Sequence, residues 1–270
     1  MVYLIALKSI PIFRGHIMIF KEFGQKGLPT IILLHGGGLS YWSLNNVVKN
    51  LVDDYHVITP ILDGHGDDWD NTFISIEDSA TKLIQYIDDV HNGQVFAIGG
   101  LSIGAQIVLE TLSKRENIAK YAIVESALVY PIKGLSTLTG LTYKLLYGLV
   151  KKRWFAKMQA KSLSVPNDMF EKYFEDSRRM SRQSLVNISL SSGSYRLKDS
   201  IQNTKTNVLI IVCEKELNLV VKSGKLLEEY IPDSKLYVAK NMGHGEMSLV
   251  NYEQYLRVAR RFIEGQELPE

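Results

Sequence analysis

Short apolar runs recur along the chain, each bounded by turn residues and followed by apolar positions at helical spacing. Ile31–Leu34, Val57–Ile61, Val95–Ile98, Tyr121–Val124, Val208–Val212 and Leu236–Ala239 are near-continuous apolar stretches rich in β-branched residues. Runs of this kind predict strands covered on both faces, as in a parallel sheet. Between them, Ala80–Val90, Ala105–Leu112, Gly224–Tyr230 and Tyr252–Ile263 place apolar residues three and four apart and predict amphipathic helices. Ahead of this alternation, Tyr3–Ile10 and His16–Phe23 predict a strand pair meeting at a turn around Arg14–Gly15. The alternation predicts an α/β fold, a mostly parallel doubly wound sheet flanked by helices and opened by an antiparallel hairpin.

One stretch breaks the pattern. About eighty residues between Val124 and Val208 have helical but little strand character, too many for an unstructured loop in a compact domain. Pro131 and Gly134 open the stretch, and Pro166 with Asn167 divide it. It predicts a helical lid, or cap, over residues 129–199, inserted into a core domain formed by 1–128 and 200–270.

Charge follows the same division. From Ser126 to Asn167 there is no Asp or Glu, yet Lys133, Lys144, Lys151, Lys152, Arg153, Lys157 and Lys161 fall there. From Asp53 to Asp89 the balance reverses, with ten acidic residues against Lys82 alone. One reading is a pair of solvated faces that attract each other. The other is a basic lid that favours anionic substrates or contacts a membrane surface, with Leu145, Leu146, Leu149, Val150, Trp154 and Phe155 as its apolar component.

Composition narrows the class without adding chemistry. With 270 residues, 46% hydrophobic and 22% charged, the chain can bury a core unaided. The net charge of +2 gives no signature of nucleic-acid binding. Cys213 is the one cysteine, which excludes a disulfide framework and a Cys-rich zinc site. The scattered His, Asp and Glu show no metal-ligand spacing, so neither metal nor cofactor is implied. No run reaches the ~18 apolar residues of a membrane span. Lys8 interrupts the apolar start and no basic region precedes it, so a secretory signal is not expected and a cytoplasmic location is.

The chemistry lies at the strand ends. Gly100-Leu-Ser102-Ile-Gly104 follows a predicted strand and opens a predicted helix. That is the context in which G-x-S-x-G makes a sharp turn that lifts the Ser hydroxyl above the sheet edge. The bare pattern occurs by chance in about one chain in ten of this size, so the strand and helix around it carry the inference. Ser102 is the candidate nucleophile. His244, in Asn241-Met-Gly-His244-Gly-Glu246 after the last strand, is the candidate base at the same sheet end. For the acid that orients it, Glu216 after the strand ending near Val212 is the first choice and Glu125 the second. Leu34-His35-Gly36-Gly37-Gly38 offers backbone N–H groups for an oxyanion hole, with Gly37 preferred, Gly38 possible and Ile103 as partner donor. His35 falls too early for the Ser–acid–His order and is expected to tie its loop by hydrogen bonds.

These motifs, with Gly64-His65-Gly66 after the second core strand, make the chain resemble the α/β-hydrolase fold proteins of the lid-bearing esterase and lipase kind. The resemblance covers nearly the whole chain. Cys213-Glu-Lys-Glu216 departs from it, because relatives carry a G-x-x-D turn there. The resemblance implies a Ser-His-acid triad acting through an acyl-enzyme on a small-molecule ester with an apolar acyl part. Other activities of the same fold are carbon–carbon bond hydrolysis, thioester cleavage and slow-turnover sensing.

Overall fold

In the computed structural model, which describes residues 18–132, 134 and 147–269, the apolar runs become six parallel strands. They are β2 (Thr30–Leu34), β3 (His56–Ile61), β4 (Val95–Leu101), β5 (Ala119–Glu125), β6 (Asn207–Cys213) and β7 (Ser234–Ala239). The edge strand β1 (Ile19–Phe23) pairs antiparallel with β3, Ile19 opposite Ile61, and the sheet order is β1-β3-β2-β4-β5-β6-β7. The predicted hairpin partner Tyr3–Ile10, its turn at Arg14–Gly15, and His16 lie outside the described residues.

Alternation along each strand divides the core into two layers. Ile32, Leu34, Val208 and Ile210 point to one face, against α2 (Ile76–His91), α3 (Ile103–Lys114) and α7 (Asn218–Tyr230), through residues such as Leu83, Ile107 and Leu227. Ile31, Leu33, Leu209 and Ile211 point to the other, against α1 (Asn45–Lys49) and α9 (Tyr252–Ile263), through Val47, Leu256 and Phe262. Each such side chain fully buried contributes roughly 1.5–3 kcal/mol, which explains why the strand runs tolerate no polar alternation. Local signals agree: the Ser75 side chain caps α2 by accepting from the Asp78 N–H at 3.1 Å, and Asn92 ends it in the left-handed region.

The stretch between β5 and β6 contains α4 (Arg153–Ser162), α5 (Phe170–Arg179) and α6 (Arg182–Ser194), with Pro166 and Asn167 between α4 and α5. Ala156 and Ala160 of α4 and Tyr173 of α5 pack on Leu39, Trp42, Leu101 and Leu249. The Trp42 indole N–H donates to the buried Asp176 carboxylate at 2.7 Å. These helices therefore rest on the loops at the C-terminal edge of the sheet. Among the described residues the acidic stretch pairs with Lys21, Lys82, Arg115 and Arg260, and the basic stretch only through Arg153 with Glu171. The two stretches do not pair with each other there.

Candidate active site

Ser102 occupies the hinge between β4 and α3 with φ 56° and ψ −116°, a conformation that strains a non-glycine residue by on the order of 1–3 kcal/mol. Its N–H donates to the Glu125 carbonyl at 2.8 Å, which extends the β4–β5 ladder into the turn. The flanking glycines are required by close approach: a Cβ on Gly104 would lie 2.6 Å from the His35 carbonyl oxygen, and one on Gly100 would run into the Gly104 backbone. The α3 N-terminus thus presses against the glycine loop after β2. Its unpaired N–H groups and dipole end favour negative charge at that point.

That loop carries Gly37, whose Cα faces both Ile103 and Ile188: a Cβ there would be 3.5 Å from the Ile103 Cγ2 and 3.3 Å from the Ile188 Cγ2. Gly38, with φ 76°, has Leu163 as its nearest neighbour. His35 anchors the loop from below. Its Nε2 accepts from the Leu62 N–H at 3.2 Å, so its Nδ1 carries the proton and donates to the Gly36 carbonyl at 2.9 Å. Burial, with His65 close by, depresses its pKa to about 3, and the ring stays neutral. His35 is therefore a tie rather than a proton acceptor.

His244 lies in the loop between β7 and α8 (Glu246–Leu249). Its Nδ1 is 2.6 Å from the Glu216 Oε1. The other Glu216 oxygen accepts from the Cys213 N–H at 2.7 Å, and the Glu216 N–H donates back to the Cys213 carbonyl at 3.1 Å. The short turn after β6 thus holds the longer Glu side chain by its own backbone. On the far side of the loop, Gly245 packs against Leu101, the residue before Ser102. Ser164, after α4, donates its hydroxyl to the His244 carbonyl at 3.1 Å.

Glu125 is not the partner of His244. Its buried carboxyl accepts from the Ser248 N–H at 3.2 Å. Burial pushes its pKa up to about 7, the negative charge of Glu216 adds to this, and the Ser248 bonds and His244 pull the other way. The structure therefore brings Glu216 to His244, Gly37 to Ile103, and the His244 loop to the Ser102 turn. It also shows contacts that local pattern does not reveal: Leu163 and Ile188 over the glycine loop, and the Trp42–Asp176 tie. Their partners are distant in the chain, and an Ile on a helix carries no mark of what it covers. Among the described residues no group of three or more His, Cys, Asp or Glu is arranged to hold a metal ion.

A seven-stranded sheet, a strained Ser turn after β4 and a His loop after β7 define an α/β-hydrolase fold protein. The sequence profile of the alpha/beta hydrolase family matches residues 31–261, and the chain belongs to that family. Membership supports a hydrolytic enzyme. No curated protein matches the chain. Among solved structures, it is similar to an esterase from Thermogutta terrifontis, with 16% identity, 92% of this chain and 93% of that one covered, and a TM-score of 0.75. A carboxylesterase structure from Nitrososphaera gargenis is similar at 15% identity over 92% and 94%, with a TM-score of 0.75. A bromoperoxidase from Bacillus anthracis is similar at 16% identity over 92% and 95%, with a TM-score of 0.76. At these identities the likenesses show the fold alone.

Proposed function

We propose that the protein is a serine hydrolase that cleaves a small-molecule carboxylic ester through an acyl-enzyme. Ser102 is the nucleophile, His244 the general base and then acid, and Glu216 the carboxylate that orients and stabilises the imidazolium. The observation that carries this reading is the Glu216–His244 pair at 2.6 Å on a loop packed against Leu101, next to Ser102.

The steps follow from the roles. His244 Nε2 takes the Ser102 proton as Oγ attacks the ester carbonyl, and the oxyanion is held by the N–H groups of Gly37 and Ile103. The imidazolium returns the proton to the leaving alcohol. Water then repeats the sequence on the acyl-enzyme and releases the acid. Glu216 keeps the imidazole oriented throughout, its second oxygen held by the Cys213 N–H.

The helices within residues 129–199 act in this proposal as a cap. Leu163 and Ile188, beside the glycine loop, supply an apolar wall that suits an apolar acyl group. The esterase and carboxylesterase among the structures of similar fold are consistent with ester cleavage.

Hydrolysis of a p-nitrophenyl ester series from short to long acyl chain, with Ser102→Ala alongside, tests the proposal. Turnover by the wild type that disappears in the variant supports it. A folded wild type without turnover overturns ester cleavage and directs attention to carbon–carbon bond hydrolysis or slow-turnover sensing.

A further inference from the structure

The two sides of α4 differ sharply. Ala156 and Ala160 are buried against the core loops. Half a helical turn away, Trp154 is 61% exposed and Met158 57% exposed, four residues apart and so on one face. Lys157 and Lys161 lie on the same helix and Lys151 and Lys152 directly precede it; all four are exposed, and none forms an ion pair among the described residues. No Asp or Glu occurs anywhere from Ser126 to Asn167. Solvent exposure of a Trp and a Met side by side leaves apolar surface unburied, and Glu171, a carboxylate near Lys157, is already paired with Arg153, which leaves the lysines in excess on this face. Both are relieved by one kind of surface: an anionic one with apolar material beneath it.

We infer that the outward face of α4 is a docking surface for an anionic lipid bilayer, with Trp154 and Met158 inserted at the interface and the lysines on the headgroups. An indole is suited to the interface because its ring is apolar and its N–H can hydrogen-bond to headgroups. Lysine stems lie along the apolar zone while their ammonium groups reach phosphate. A nucleic acid would use the lysines but offers Met158 nothing, and the net charge of +2 shows no wider basic field. No helix among the described residues is long and apolar enough to cross a membrane, so the contact is peripheral. Since Ser164 joins the end of α4 to the His244 loop, docking would bring the bilayer close to the proposed catalytic site.

Co-sedimentation of the full chain with vesicles of phosphatidylcholine alone, and of phosphatidylcholine mixed with phosphatidylglycerol, tests the inference. Binding to the mixed vesicles, weakened by salt, is the expected result, together with a blue shift of tryptophan emission that Trp154→Phe removes. Lys157→Gln and Lys161→Gln should each lower binding roughly fivefold. Trp154→Ala with Met158→Ala should lower it about tenfold or more. All four positions are exposed, so an unchanged melting temperature serves as the control for folding. Absence of binding to the mixed vesicles by the wild type overturns the inference. So does binding that these variants leave intact, or equal binding to soluble RNA with no response to vesicles.

Discussion

His244 and Glu216 are joined at 2.6 Å, and the same carboxylate is pinned by its other oxygen to the Cys213 N–H. One side chain thus bridges the turn after β6 and the loop after β7. A Glu reaches further than an Asp would, and the tight Cys213–Glu216 turn takes up that length. The bond also fixes the tautomer: with Nδ1 donating to Glu216, Nε2 is free to accept a proton.

Replacing the carboxylate by an amide should therefore disable the base while keeping the shape. Glu216→Gln is expected to lower kcat by about 10³–10⁴-fold, with KM little changed. Glu125→Gln should retain most activity, because Glu125 bonds to Ser248 and not to His244. Steady-state kinetics of the two variants separate the roles, and the reverse ranking would move the acid to Glu125.

Glu125 should instead appear in the pH dependence of stability. Its folded pKa is raised to about 7 from an ordinary 4.5, so the folded state holds a proton that the unfolded state releases. Its contribution is full below about pH 4.5 and is lost as the pH rises through about 7, a change on the order of 3 kcal/mol. Urea midpoints between these limits should fall with pH in the wild type, relative to Glu125→Gln. Parallel profiles would show that Glu125 does not hold its proton.

His35 works in the opposite direction. Its folded pKa is depressed to about 3 from 6.5, so its contribution is present above about pH 6.5 and lost as the pH falls towards 3. His35→Gln should reduce stability at neutral pH, through the loss of the Leu62 and Gly36 bonds, and flatten the acid limb of the urea-midpoint profile. An unchanged acid limb would assign that sensitivity to other groups.

Much of this arrangement is legible from the chain alone, and the parts that are not share a cause. Ile31–Leu34 and Val208–Val212 announce strands because burial on both faces leaves an uninterrupted apolar run. Gly100–Gly104 announces its turn because each glycine meets neighbouring backbone at a distance no Cβ allows. Glu216 and Glu125 are both marked as candidates by their places at strand ends, and the sequence alone does not bring either to His244. The antiparallel pairing of β1 with β3, the Glu125–Ser248 bond across 123 positions, and Ile188 over Gly37 depend on where whole elements dock. Local pattern records which face of a helix is apolar, not which residue of another element that face meets.

Ile188 and Leu163 should set the accepted acyl length under the proposed function. Ile188→Ala and Leu163→Ala remove bulk beside Gly37 and Gly38. Each is expected to shift the optimum in kcat/KM towards longer p-nitrophenyl esters, by roughly tenfold for the favoured chain. An unchanged chain-length profile would place the acyl pocket elsewhere.

In the proposed function Ser102 forms a covalent bond to the substrate with His244 as its base. Intact-mass and peptide mass spectrometry after treatment with a fluorophosphonate ester tests this most directly. One adduct is expected, on the peptide containing Ser102, formed rapidly by the wild type and far more slowly by His244→Ala. An adduct confined to another residue, or labelling of Ser102 at the same rate without His244, would contradict it.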